Sequence, residues 1–281
     1  HPTGYSATGV VIKVGSDITD IVPGDKVACA GAQCAYHAEL IRVPRNLCTL
    51  LPETLGWEEA STVTLGAIAM QGVRRAQPTL GESFIVIGLG ILGQLTVQLL
   101  RANGCRVIGM DLDQERVETA KKLGMDLSIH PDGGSDSEQV ARLTDGFGAD
   151  GVIITAATPS DSVMSSAFKM CRKKGRVVLV GDVGLNLNRA DFYKNEIDFF
   201  ISTSYGPGRY DNKYEEQGLD YPISYVRWTE NRNMAEYLRL LADKHIEITS
   251  LISERYPVDE AVTAYEKLNS SSKKPMMVLL T

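Results

Sequence analysis

The sequence predicts an α/β protein centred on a doubly wound parallel sheet, with a β-rich portion before it. Three observations carry this. Short apolar runs alternate with helical stretches from Ser83 to Thr203, the rhythm of successive βα units packed on both faces of a sheet. The first of these runs passes directly into Gly88-Leu89-Gly90-Ile91-Leu92-Gly93. Residues 1–55 show instead short β-rich runs broken by turns.

In chain order, Thr8–Val14 reads as a strand, and Val22-Pro23-Gly24-Asp25-Lys26-Val27 as a turn. Proline presets φ in such a turn and glycine accepts positive φ. Ala38–Val43 reads as a further strand ahead of Pro44. Phe84–Ile87 suits a strand buried on both faces. Leu92, Leu95, Leu99 and Leu100 then fall on one helical face. Arg106–Met110 is the next strand, and Gln114–Leu123 a helix stopped by Gly124. Strands are expected at Leu127–His130, Gly151–Thr155, Arg176–Val180 and Asp198–Thr203, with Asp132–Ser137 as a loop. Beyond Thr203 comes an irregular tyrosine-rich stretch. It is followed by helices at Met234–Asp243 and Val258–Leu268 and a closing strand, Pro275–Leu280.

Composition excludes several classes. With 43% hydrophobic and 23% charged residues the chain is ordinary for a globular protein. A net charge of −6 offers no field for nucleic acid or an anionic membrane. No apolar window approaches the roughly 18 residues of a spanning helix, and no signal-peptide pattern opens the chain. Five scattered cysteines, an odd count, fit reduced thiols and a cytoplasmic setting. Cys29, Cys34 and His37 invite a metal reading, but nothing nearby completes a ligand set, so no metal is expected.

The glycine turn has the context that dinucleotide chemistry needs: a strand before it, an amphipathic helix after it, and Asp111 ending the next strand. Gly88 makes the tight turn, Gly90 lets backbone approach a pyrophosphate, and Gly93 lets helix and strand pack closely. The pyrophosphate would rest on the bare helix N-terminus formed by Leu89 to Leu92, against free N–H groups and the positive end of the dipole. The Asp111 carboxylate accepts from the ribose 2′-hydroxyl of NAD and repels the 2′-phosphate of NADP, so NAD is the expected coenzyme. Leu112 follows it on the same strand end, and Arg116 on the next helix is a complication, since a guanidinium there can bind phosphate.

These residues resemble the medium-chain dehydrogenase/reductase family across nearly the whole chain. Gly4–Gly15 is similar to the opening strand of its GroES-like catalytic domain, Val22–Val27 to its PGDxV turn, and Leu51-Pro52 through Ala60 to its lP…eEAA segment. Gly66–Val73 resembles the helix leading into the coenzyme domain, Gly148–Val152 its GADvV entry, and Tyr256–Ala261 its closing aromatic-Pro-xxEA helix. The resemblance implies a partial GroES-like domain over 1–65, a Rossmann domain over 66–204 and a return to the catalytic domain over 205–281. It further implies hydride transfer between a nicotinamide and a small alcohol, carbonyl or enone. Thr155, Ala156, Val180, Gly181 and Asp182 would approach the nicotinamide end. A homodimer built across the strand near Ile197–Thr203 is implied as well, as is a longer amino-terminal part.

Two departures shape the expected chemistry. Zinc-dependent members carry Gly-His-Glu where this chain has Gly4-Tyr5-Ser6, and neither the later ligand near Thr64 and Leu65 nor the four-cysteine lobe is present. A zinc-independent enzyme is therefore expected, with the oxyanion served by another donor; Tyr5, Tyr36, His37 and Tyr205 are candidates. Separately, Tyr205–Asp211, Asp220–Pro222 and Tyr225–Thr229 resemble the dehydrogenase half of bacterial two-domain oxidoreductases, which implies a sugar or nucleotide-sugar substrate. Arg209 and Arg227 would then hold a phosphate or carboxylate while Tyr210 or Trp228 stacks on a ring. The alternative readings are an NADPH-dependent quinone or enone reductase and a non-catalytic dinucleotide-binding protein.

Overall fold

A computed structural model describes residues 3–132, 134–269 and 274–281. In chain order the elements are β1 (Ser6–Val10), β2 (Lys26–Ala30), β3 (Cys48–Leu50), α1 (Trp57–Ala60), α2 (Val63–Ala76), β4 (Ser83–Ile87), α3 (Ile91–Ala102), β5 (Arg106–Met110), α4 (Gln114–Lys122) and β6 (Leu127–Ile129). They continue with α5 (Asp136–Leu143), β7 (Ala149–Ile154), β8 (Ala157–Thr158), α6 (Ser162–Met170), β9 (Cys171–Leu179), β10 (Asp182–Val183), α7 (Arg189–Phe192) and β11 (Asp198–Ile201). Last come α8 (Asn212–Glu215), α9 (Glu230–Ala242), β12 (Glu254–Tyr256), α10 (Ala261–Asn269) and β13 (Val278–Leu280). The chain divides into two compact units, one of His1–Ala67 with Tyr205–Thr281, the other of Ile68–Ser204.

The contiguous unit holds a six-stranded sheet in the order β11-β9-β7-β4-β5-β6, every neighbouring pair parallel. Numbered along the chain, that is the 6-5-4-1-2-3 order of a Rossmann sheet, whose strand order reverses between β4 and β7. Ile85, Ile108, Val152 and Val177 are fully buried from both faces, which is why the strands read as continuous apolar runs. The helix after the glycine turn departs from a simple amphipathic pattern. Every residue of α3 from Gly93 to Leu100 is buried, Gln94, Thr96 and Gln98 included, whereas Leu92 is half-buried.

The other unit contains an antiparallel sheet β1-β2-β3, with Ser6 opposite Ala30 and Cys29 opposite Cys48. Val27, Cys29, Cys48, Ile21 and Ala35 form its small core. α9 buries Met234, Tyr237, Leu238 and Leu241, and its N-cap Thr229 accepts from the Arg232 N–H. The Tyr237 ring lies against Gly66, where an added Cβ would come within 2.2 Å of it, and its hydroxyl bonds Thr62 Oγ1 at 2.8 Å.

Several expected elements shift. Ala38–Val43 forms no strand, because its half-buried Ile41 and Val43 pack on the core without a ladder partner. The first strand ends at Val10, not Val14. Asp136 and Ser137, expected in a loop, open α5. The helix expected from Met234 starts at Glu230, Val258–Glu260 is a 3-10 turn ahead of α10, and the closing strand is only Val278–Leu280.

Candidate functional site

The glycine turn lies at the C-terminal end of β4, beside the point where strand order reverses. Each glycine answers a different demand. Gly88 has φ +90, and a Cβ there would meet the Ala156 backbone N at 2.7 Å. A Cβ on Gly93 would come within 2.0 Å of the Gly88 carbonyl oxygen. Gly90 is different: its φ is −67, and the nearest atom to an added Cβ is Arg116 Nη1 at 4.0 Å. No described residue stands where a side chain on Gly90 would go; a ligand approaching the backbone would need that space. Gly90 is also the N-cap of α3 with no side-chain cap, so the first N–H groups of the helix are left for an acceptor.

A cavity of about 790 Å³ opens on this turn. Gly88, Gly90, Ile91, Leu92, Asp111, Leu112, Arg116, Thr155 and Ala156 all line it. Leu89 and Gly93 do not. The Leu89 side chain is buried against Gly109 of β5, and Gly93 is closed in by Gly88 and Thr155. Asp111 is held in place by two backbone donors, Leu89 N–H to Oδ2 at 2.6 Å and Asp113 N–H to Oδ1 at 2.8 Å. A carboxylate offers about four lone-pair sites, so acceptor capacity remains for a hydroxyl. Arg116 spans Asp111 at 3.9 Å and Asp113 at 3.5 Å. Thr155 Oγ1 donates to the Gly88 carbonyl at 2.5 Å, tying β7 to the turn.

Val180, Gly181 and Asp182 are not among the lining residues. They follow β9, where the Val180 and Gly181 N–H groups share the Ile154 carbonyl and Asp182 N–H donates to Ala156 O. The sequence reading missed Pro131 and a hydroxyl-rich wall, Ser137, Thr158, Ser160, Ser162 and Ser166. The only sequence signal for that wall is the density of serines between Ser160 and Ser166.

The other candidates lie in the first unit. Tyr5 is 45% exposed, and burial with the nearby Tyr265 phenol raises its pKa, so it stays protonated. Tyr265 OH lies 3.1 Å from His37 Nδ1, and burial lowers the His37 pKa. Gly4, with φ +94, lets the His37 ring rest on the backbone just before Tyr5. Tyr205 differs: it is 4% exposed and its hydroxyl has no partner among the described residues. Arg209, expected to meet an anionic substrate, is paired with Glu215 at 2.6 Å and stacks on Tyr210 at 4.1 Å. Arg227 stacks on Trp228 at 3.8 Å.

The donors present do not fit a zinc ion. Metal ligands bind deprotonated, and the Tyr5 phenol is held protonated. Cys29 and Cys48 share a hydrogen bond at 3.6 Å in the core, while Cys34 donates to the Ala30 and Gly31 carbonyls. Among the described residues no group of three or more His, Cys, Asp or Glu is arranged to hold a metal, and none of their helices is long and apolar enough to cross a membrane.

A family model described as zinc-binding dehydrogenase matches residues 92–219. A D-guloside 3-dehydrogenase of Escherichia coli (strain K12) is 29% identical over 256 residues, covering 89% of this chain and 68% of that protein. A sorbitol dehydrogenase of Gallus gallus is 26% identical over 298 residues, covering 94% of this chain and 76% of its own length. Alcohol dehydrogenase TADH from Thermus sp. ATN1 shares the fold with a TM-score of 0.79 at 23% identity, over 99% of this chain and 83% of that one. A Rossmann strand order, a glycine turn at its reversal point and sequence relatives spanning both units converge on a likeness to the medium-chain dehydrogenases.

Proposed function

We propose that the chain is an NAD(H)-dependent oxidoreductase acting on a small alcohol or carbonyl of the sugar class without catalytic zinc. One observation carries the coenzyme reading. Gly90 leaves a helix N-terminus bare beside Asp111, in a cavity large enough for a nucleotide, with no described residue standing where a side chain on it would go. When bound, the coenzyme supplies the hydride donor or acceptor. Gly90, Ile91 and Leu92 would present N–H groups to its pyrophosphate, and Asp111 would accept from the adenosine ribose. The sugar class is supported by the D-guloside 3-dehydrogenase and sorbitol dehydrogenase relatives.

The test is a calorimetric titration with NADH and NADPH side by side. NADH is expected to bind tighter. Asp111→Ala is expected to weaken NADH about 10- to 100-fold, the worth of hydrogen bonds to a charged acceptor, while removing the repulsion of NADPH. No heat with either coenzyme, or tighter NADPH binding by the unaltered protein, overturns the reading.

Tyr5 is the favoured proton donor, since its half-exposed side chain is held protonated and the neighbouring Tyr265, bonded to His37, would replace the proton. In the oxidative direction the same groups take the hydroxyl proton of the alcohol. Tyr5→Phe should lower turnover of a D-guloside with NAD by about 10²- to 10⁴-fold with NADH affinity unchanged. Purified protein should carry far less than one zinc per chain by elemental analysis; a stoichiometric ion that activity requires would refute this part. The proposed homodimer would use β11, an edge of the six-stranded sheet that carries the half-exposed Ile201.

A further inference from the structure

Gln94 follows the last glycine of the turn and is fully buried. A primary amide in such a place is unfavourable unless its groups are paired, and here they are paired unequally. Nε2 donates to the Leu89 carbonyl at 2.8 Å and to the Arg116 carbonyl in α4 at 2.9 Å. Oε1 has no partner among the described residues. A side chain serving only to fill space would not be an amide with one unmet acceptor, so the two donated bonds are the feature to explain.

Both bonds end on groups that bear on Asp111. The carbonyl of Leu89 is fixed by Gln94, while the N–H of the same residue donates to Asp111 Oδ2 at 2.6 Å. Arg116, whose carbonyl takes the second bond, places its guanidinium 3.9 Å from that same carboxylate oxygen. The four residues close a circuit: Gln94 to Leu89, Leu89 to Asp111, Asp111 to Arg116, Arg116 back to Gln94. A second consequence follows from peptide planarity. The Leu89 carbonyl and the Gly90 N–H share one trans peptide and point in opposite directions. Holding the carbonyl toward Gln94 therefore turns the Gly90 N–H away from it, on a residue that lines the cavity.

We propose that Gln94 is a positioning residue for coenzyme selection. Its amide locks the Leu89–Gly90 peptide and the start of α4, so that Asp111 and the Gly90 N–H hold their orientations before coenzyme arrives. This inference rests on the coenzyme reading above.

Gln94→Met keeps the volume and removes the unmet acceptor, but it also strips the Leu89 and Arg116 carbonyls of this donor, so its melting temperature should change by only about 5 °C. Gln94→Glu keeps the shape but leaves at most one donor, the O–H of a protonated carboxyl, so the two carbonyls cannot both be held. In both variants NADH affinity should fall about tenfold by fluorescence titration, while NADPH, which shares the Gly90 N–H but gains nothing from Asp111, should fall clearly less. The ratio of the two dissociation constants therefore shrinks. Equal weakening of both coenzymes together with a larger fall in melting temperature would reduce Gln94 to a packing role and overturn the inference. Full NADH affinity in either variant overturns it too. If the unaltered protein binds neither coenzyme, the functional reading itself falls and this inference with it.

Discussion

Gly90→Ala is expected to leave the protein folded while removing tight NADH binding, and Gly93→Ala is expected to damage the fold itself. At Gly90 the backbone is in a region open to any residue, and an added methyl meets nothing closer than 4.0 Å. The stability cost is that of a poorer N-cap, within about 1 kcal/mol. The methyl would nevertheless enter the cavity that Gly90, Ile91 and Leu92 line, where a phosphate oxygen would accept from the N–H groups. Each lost charge-assisted bond costs about 1.5–3 kcal/mol, so affinity should drop by about 10- to 100-fold or more. At Gly93 the added atom falls 2.0 Å from the Gly88 carbonyl oxygen and 3.1 Å from Thr155 Oγ1. The helix must move off the turn, at a cost of about 3 kcal/mol or more. Thermal melts separate the two variants, and coenzyme titration of Gly90→Ala decides the site: wild-type affinity there means that no ligand approaches this backbone.

A second large effect concerns Glu230. This carboxyl is fully buried at the start of α9, and neither oxygen has a partner among the described residues. The nearby guanidinium of Arg209 is already committed to Glu215 at 2.6 Å. Burial, with the neighbouring Glu215 charge adding to it and Arg209 opposing, raises its pKa to about 9. The folded protein thus retains a proton that the unfolded chain releases near pH 4.3. The contribution to stability is complete below that value and is lost as pH climbs through 9, at about 1.4 kcal/mol per pH unit. Glu230→Gln should abolish that slope and raise stability at pH 8 to 9, measured by urea unfolding across the range. A variant with the same pH dependence as the unaltered protein would show that the carboxyl is ionised or solvated.

What the sequence disclosed was mostly local. The glycine turn could be read because strand, glycines, helix and Asp111 all sit within one βα unit, and the sheet followed from the repetition of such units. Ala38–Val43 misled because its alternation of apolar residues is real: Ile41 and Val43 do pack on a core, but from a segment with no strand beside it. Glu230 was hidden for the opposite reason. An acid in the first turn of a helix ordinarily faces water and complements the dipole; only the tertiary fold, with Gly208 lying against its carboxyl, shows it enclosed. Gln94 was passed over similarly, since glutamine in a helix normally faces solvent, and α3 is buried along most of its length. The hydroxyl-rich wall, drawn from α5, β8 and α6, comes from residues remote in sequence from the glycines, and periodicity alone gives no reason to place them together.

The split of the chain into one continuous and one discontinuous unit bears on how the protein is made. Ile68–Ser204 has all its strands in a single stretch and can pair them as soon as they are synthesised. The strands near the amino end belong with a helix that emerges only after that stretch is complete, and closing so long a loop is entropically slow. The small core of β1–β3 draws on residues 7–48 alone, but β3 also packs against α9, and that contact has to wait until the residues after Ser204 are translated.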